Sequence, residues 1–176
     1  ALGRVYVAWQ ELPATAGSPC RVFVDRSLDG GLTWGPDTVA YVTSVATTLG
    51  TGGQYRVPAS PDRGVGAYLV IDVDRSGGPF DGTVYLAVLD QGDLDGNPDP
   101  GNPADRNDTD VFLLRSADHG NSWSGPVRVN DDSGIFSQFA PWMAVDQVTG
   151  DVAVAWYDGR NDLGDRGPGD SAGIPN

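Results

Sequence analysis

Ser27-Leu28-Asp29-Gly30-Gly31-Leu32-Thr33-Trp34 returns later in the chain as Ser116-Ala117-Asp118-His119-Gly120-Asn121-Ser122-Trp123. The common pattern is S-x-D-x-G-x-[TS]-W, and each fixed position has a reason rooted in turn formation. An Asp carboxylate accepts backbone N–H groups in a tight turn, Gly takes a positive φ without steric cost, and a hydroxyl ties the turn. The Trp is expected to pack beneath its hairpin, which predicts buried indoles at Trp34 and Trp123. Both copies run on into Gly-Pro, directly after Trp34 and one residue later after Trp123. Two copies in the same context make the chain a repeat of one supersecondary unit.

Strand patterns extend outward from these turns. Gly3-Arg4-Val5-Tyr6-Val7-Ala8-Trp9, Gly82-Thr83-Val84-Tyr85-Leu86-Ala87-Val88 and Gly150-Asp151-Val152-Ala153-Val154-Ala155-Trp156 each couple a Gly turn to a β-branched and aromatic run, and each leads to an acid, Glu11, Asp90 or Asp158. Two of the three follow a further apolar strand ending in Asp: Ala67 to Asp72, and Pro141 to Asp146. Cys20 to Ser27 and Asp110 to Ser116 supply a third strand, and Trp34 to Tyr41 and Trp123 to Asn130 a fourth. The chain therefore reads as all-β.

The octapeptide resembles the Asp box, or BNR repeat, of sialidases and other propellers, and the likeness spans nearly the whole chain. It implies a segment of a sialidase-like β-propeller with Asp-box hairpins, built of four-stranded antiparallel blades, about two and a half of them present. Residues 3–42 would be strands two to four of one blade, 66–130 a complete blade, and 141–158 the first two strands of another, within a single incomplete domain over 1–176. A ring needs roughly four to eight blades, so the rest of the propeller or other copies of the chain are the expected partners. The structural role falls to Ser27, Asp29, Gly31, Thr33 and Trp34, and to Ser116, Asp118, Gly120, Ser122 and Trp123. His119 is expected to be a solvated turn residue.

Composition narrows the partners. The net charge is −13, carried by 23 Asp against the single Glu11, with 11 Arg and no Lys. Asp is a turn and metal residue, whereas Glu and Lys populate exposed helix faces. So acidic a chain repels phosphate backbones, which excludes nucleic acid and favours a divalent cation. No apolar run is long enough for a membrane span. Cys20 is alone, so no intrachain disulfide forms, and it reads as a small apolar strand residue. The chain opens directly in a strand-like run without a signal-peptide pattern, and its N-terminus reads as cut.

In an antiparallel blade the turns after strands one and three share one end, which sorts the loops. The Asp boxes fall at one end; Glu11, Asp90, Asp158, Tyr55-Arg56-Val57-Pro58 and the longest loops fall at the other, where a ligand site is expected. One of those loops reads Asp93-Leu94-Asp95-Gly96-Asn97-Pro98-Asp99 and leads through Asp105, Asn107 and Asp108 to Asp110. Oxygen ligands at alternate positions with Gly after the second match the opening of an EF-hand-type loop, although no Glu stands at its twelfth position. Ca²⁺ held by Asp93, Asp95, Asn97, Asp99 and Asp110 is the expectation, and a solvated polar insertion the alternative. Asn107-Asp108-Thr109 also fits an N-glycosylation sequon.

Sialidases carry an arginine cluster for the substrate carboxylate, a Tyr/Glu nucleophile pair and an Asp acid/base. Tyr55-Arg56-Val57-Pro58 resembles the motif whose arginine begins that cluster, and Trp156-Tyr157-Asp158-Gly159-Arg160-Asn161-Asp162 resembles the following strand end, which marks Arg56 and Arg160 as substrate-binding candidates. In the family the two motifs share a blade, and here they fall in different blades. Phe139-Ala140-Pro141 lacks the arginine, and Glu11 has no assignable tyrosine partner, so no catalytic set can be named. Three functions stay open: an extracellular or cell-surface, calcium-stabilised binding or structural module with carbohydrate as its ligand class; an exo-sialidase or other glycoside hydrolase; and a self-assembling surface protein completed by neighbouring copies.

Overall fold

Short runs rich in Val, Thr, Tyr and Trp, bounded by Gly, Pro and Asp, favour a pleated backbone. The computed structural model describes residues 3–11, 15, 18–46, 55–57, 60–91, 109–132 and 136–161, and among these there are strands and no helix. In chain order the strands are β1 (Val5–Glu11), β2 (Pro19–Ser27), β3 (Thr38–Ala46), β4 (Tyr55–Val57), β5 (Ser60–Val65), β6 (Leu69–Val73), β7 (Val84–Gln91), β8 (Thr109–Ser116), β9 (Val127–Arg128), β10 (Gln138–Val145) and β11 (Val152–Asp158). They pair antiparallel as β1-β2-β3, β4-β5, β6-β7-β8-β9 and β10-β11. The all-β reading holds, in antiparallel sheets of two to four strands. The β4-β5 hairpin has no counterpart among the strands read from the sequence; its Val57 and Val65 are buried with Val45, Ala67 and Leu89.

The four-stranded sheet is the middle layer of a stack. Leu86, Val88 and Leu114 on one face pack with Val22, Ala8, Ala40 and Tyr41 of the first sheet. Tyr85 and Ala87 on the other face pack with Met143, Val145, Val152 and Val154 of the β10-β11 hairpin. Burying one such aliphatic side chain is worth about 1.5–3 kcal/mol. Polar ties cross both seams. Asp72 Oδ2 accepts the Val145 N–H at 2.8 Å, and Arg26 Nη1 donates to the His119 carbonyl at 2.8 Å.

The two copies of the octapeptide form equivalent turns. Asp29 Oδ1 accepts the N–H groups of Leu32 (3.0 Å) and Thr33 (2.9 Å) and the Ser27 hydroxyl (2.7 Å), while Oδ2 accepts the Thr33 hydroxyl (2.6 Å). Ser27 Oγ in turn accepts the Gly31 N–H at 2.8 Å. In the second box Asp118 Oδ1 accepts the Ser122 N–H (2.9 Å) and the Ser116 hydroxyl (2.7 Å), Oδ2 accepts the Ser122 hydroxyl (2.6 Å), and Ser116 Oγ accepts the Gly120 N–H (2.7 Å). Gly31 and Gly120 take φ of 95° and 87°. His119 occupies the left-handed region at 62°, where the first box has Gly30. The histidine is not a solvated residue: it is half-buried, with Nδ1 3.2 Å from the Gly82 carbonyl oxygen.

The two indoles differ. Trp123 is half-buried in the cluster between the first and second sheets. Trp34, expected to be buried, is 44% exposed. Its counterpart reaches a seam between two sheets, whereas Trp34 belongs to the first sheet of the stack, and among the described residues no sheet covers that side.

The hydroxyl of Thr33, its N–H and the hydroxyl of Ser27 hold the Asp29 carboxyl down at about 2, and Ser122 leads the same effect on Asp118. A carboxylate whose folded pKa lies below its unfolded value, near 3.9, stabilises the fold above that value and loses the contribution as pH falls through the folded pKa. Melting temperature is therefore expected to fall between about pH 4 and pH 2, and the Asp29→Asn, Asp118→Asn double variant should flatten part of that limb. A second expectation concerns Gly150, at φ 80°, where an added Cβ would lie 2.9 Å from Asp74 Oδ2. In urea unfolding Gly150→Ala should cost about 1–3 kcal/mol, while Gly125→Ala stays within about 0.5 kcal/mol. Gly125 has no atom within 4 Å of its added methyl.

Candidate functional site

The end of the stack opposite the two octapeptide turns concentrates buried polar groups. β1, β7 and β11 each deliver an acid from their C-terminal ends there, with three different outcomes. Glu11 pairs with Arg21 at 3.7 Å on the surface. Asp90 is buried: its Oδ1 accepts the Thr43 hydroxyl at 2.9 Å, the Val45 N–H at 3.2 Å and the Gln91 N–H at 2.7 Å, and its Oδ2 accepts the Tyr41 hydroxyl. Burial and then the adjacent Asp90 carboxylate push the Tyr41 phenol above its ordinary range. This network fastens the end of β3 onto the end of β7. Asp158 accepts the Arg160 N–H at 2.9 Å and the guanidinium Nε–H at 2.8 Å.

Between the last two lies a cluster centred on Asn130. Its Oδ1 accepts the Val111 N–H at 3.0 Å, which turns the amide nitrogen toward three oxygens: Asp110 Oδ1 at 2.5 Å, Asp132 Oδ1 at 2.7 Å and Gln138 Oε1 at 3.0 Å. An amide NH₂ has two hydrogens, so three acceptors over-subscribe it. Asp110, Asn130, Asp132, Ser137 and Gln138 are all buried, and among the described residues Asp132 Oδ2 and Ser137 Oγ find no hydrogen-bond partner. Arg128 compensates in part, with Nη1 3.4 Å from Asp110 Oδ2 and Nη2 donating to the Asp132 carbonyl at 3.0 Å. Burial, the largest influence, raises the Asp110 pKa; Asn130 and Arg128 oppose it and Asp132 reinforces it. Gln138 Nε2 then reaches Asp158 Oδ1 at 3.3 Å, and Thr109 donates its hydroxyl to the Gln138 carbonyl at 2.6 Å, linking β8 to β10.

At the exposed margin Arg160 bridges two carboxylates, with Nη2 2.7 Å from Asp131 Oδ1 and 2.8 Å from Asp158 Oδ2. Burial would raise Asp158, yet the bonds from Arg160 outweigh it and bring the carboxyl down to about 2. Arg160 also lowers Asp131. The result is a fixed array of a guanidinium and two ionised carboxylates.

Of the sequence-derived site residues, Arg160 is in this array and Asp110 in the buried cluster. The Arg56 side chain lies outside the described residues, as do Asp93, Asp95, Asn97 and Asp99. Among the described residues no group of three or more His, Cys, Asp or Glu is placed to hold a metal ion. Sequence reasoning missed Asn130, Asp131, Asp132, Ser137 and Gln138. Their only signal is a polar run, Asn130-Asp131-Asp132, directly after a strand. Open grooves of about 430 and 400 Å³ lie at the opposite end, one beside Phe80, Arg115 and Trp123 and one beside Arg4, Tyr6 and Arg75, away from the buried polar cluster. No protein-family model matches the chain, and no curated protein matches it in sequence.

Asn130→Asp would add a third carboxylate to the cluster. The new acid would have a raised folded-state pKa, so its penalty is absent below the unfolded value and grows as pH rises. Urea unfolding is expected to show a loss of about 3 kcal/mol or more at pH 7 and a smaller loss near pH 4. Equal losses at both would contradict the electrostatic account.

Proposed function

We propose that the chain is a segment of a sialidase-like Asp-box propeller and works as an extracellular, calcium-supported binding module for carbohydrate, with the strand ends opposite the Asp boxes as the binding face. The observation that carries the reading is the Arg160 array: a guanidinium fixed between Asp131 and Asp158, partly exposed beside a buried polar cluster. Sugar hydroxyls both donate and accept hydrogen bonds, so a rigid mixture of carboxylates and guanidinium N–H groups suits them at small entropic cost. The paired Asp boxes support the propeller part of the proposal, because they repeat one hydrogen-bond set on two stacked sheets. The calcium part rests on the spacing of Asp93, Asp95, Asn97 and Asp99, which lead into Asp110. A bound divalent ion would offset the mutual repulsion of those carboxylates.

Two measurements test it. Calorimetric titration with neutral and acidic oligosaccharides should give binding that Arg160→Ala or Asp131→Ala weakens by about tenfold or more. Absence of binding to every oligosaccharide would remove the ligand assignment. Separately, chelation should lower the melting temperature of the wild-type chain and leave Asp95→Ala unchanged. Melting that ignores both calcium and chelator would leave the acidic loop as a solvated insertion.

A further inference from the structure

Which sugars the Arg160 array can take depends on which of its groups are already engaged. A guanidinium grips a carboxylate through two parallel N–H groups, on its Nε/Nη2 edge or its Nη1/Nη2 edge. In Arg160 the first edge lies against Asp158 Oδ2, which is 2.8 Å from both Nε and Nη2. Nη2 is also 2.7 Å from Asp131 Oδ1. Neither edge is left whole, and only Nη1 has no acceptor among the described residues.

The charges lead to the same place. At the margin the carboxylates of Asp131 and Asp158 outnumber the one guanidinium between them. Behind them Asp110 and Asp132 have Arg128 as their cation, with Nη1 3.4 Å from Asp110 Oδ2 and Nη2 donating to the Asp132 carbonyl. Asp132 Oδ2 is buried and finds no hydrogen-bond partner among the described residues. Asp131, its side chain 85% exposed, keeps acceptor capacity turned to solvent. An arriving ligand therefore meets acceptors in a negative field.

We infer that the array selects sugars bearing a protonated amine over neutral sugars, and turns away sugars bearing a carboxylate. A sugar ammonium brings donors to oxygens that only accept, and its charge balances the surplus carboxylate. A sugar carboxylate would face Asp131 and could claim no more of Arg160 than its Nη1 side. Arg160 is then a positioning residue that holds two carboxylates in place. The inference rests on the carbohydrate reading and narrows its ligand class.

Calorimetric titration at about pH 5 tests it with three probes of one length: the tetramers of glucosamine, N-acetylglucosamine and galacturonic acid. Asp131 and Asp158 are ionised there, since Arg160 and its hydrogen bonds hold both carboxyls below their ordinary range. The glucosamine tetramer should bind about fivefold or more tightly than its acetylated form, and the galacturonic acid tetramer more weakly than either. A net charge of −13 attracts any cationic oligomer, so position is tested as well as charge. Asp131→Asn should remove most of the amine's advantage, while Asp37→Asn, which removes the same charge from an exposed residue just before β3, should leave it. Added salt should narrow the gap between the amine and its acetylated form without moving the latter, and circular dichroism checks that both variants fold. A glucosamine tetramer no tighter than its acetylated form, a galacturonic acid tetramer that matches it, or Asp37→Asn costing as much as Asp131→Asn would overturn the inference and leave the carbohydrate reading in place. No binding of any probe would overturn both.

Discussion

Every residue from Val84 to Asp90 is buried, alternately against the sheet before and the sheet after, and this double-sided burial of β7 organises the rest of the molecule. A strand covered on both faces cannot afford an unpaired backbone group, so β6 and β8 must flank it in register, and they do without a bulge. Its two ends then fix what lies at either end of the stack. At one end Gly82 and the β6-β7 turn receive the His119 ring; at the other, Asp90 leaves the apolar layer and is met by Tyr41, Thr43 and the Val45 amide. The Ser116–Trp123 turn acts on the same strand indirectly, by setting where β8 ends and β9 returns.

The polar end of the stack follows from that arrangement. Each second strand ends in an acid at the same height, but its partner depends on the sheet in front of it. Asp90 has β3 in front and is buried; Asp158 has the end of β9 and the start of β10 nearby and is held by Gln138 and Arg160; Glu11 has no sheet in front among the described residues and makes a surface ion pair. One sequence position thus yields a structural anchor, a part of the candidate site and an ordinary surface charge.

Most strands and both octapeptide turns could be read from the chain, because β-branched and aromatic runs after a Gly turn and the S-x-D-x-G-x-[TS]-W spacing are local signals. The exposure of Trp34 could not: its motif is the same as that of Trp123, and only the presence of a sheet in front separates the two. Asn130, Asp132 and Gln138 were missed for a related reason. Polar residues after a strand read as solvated, and these are buried because β8, the end of β9 and the start of β10 converge on them. The β4-β5 hairpin was not read from the chain, because the burial of its Val57 and Val65 involves distant residues such as Leu89 and Val45. Arg160 was found through its motif, but its engagement with Asp131 was not, since Asp131 follows the last strand of another sheet.

The hydrogen bonds that cross the seams have a mechanical consequence. Apolar packing between two sheets tolerates a slide, because one aliphatic side chain replaces another at little loss. Asp72 bound to the Val145 amide, Asp90 bound to the Val45 amide and Arg26 bound to the His119 carbonyl do not tolerate it, since a shift by one pleat would leave each charged group opposite the wrong backbone atom. The layers therefore resist shear through a few directional bonds and resist separation through apolar contact. A load applied along the strands would meet an abrupt yield point, whereas a load pulling the layers apart would meet graded resistance.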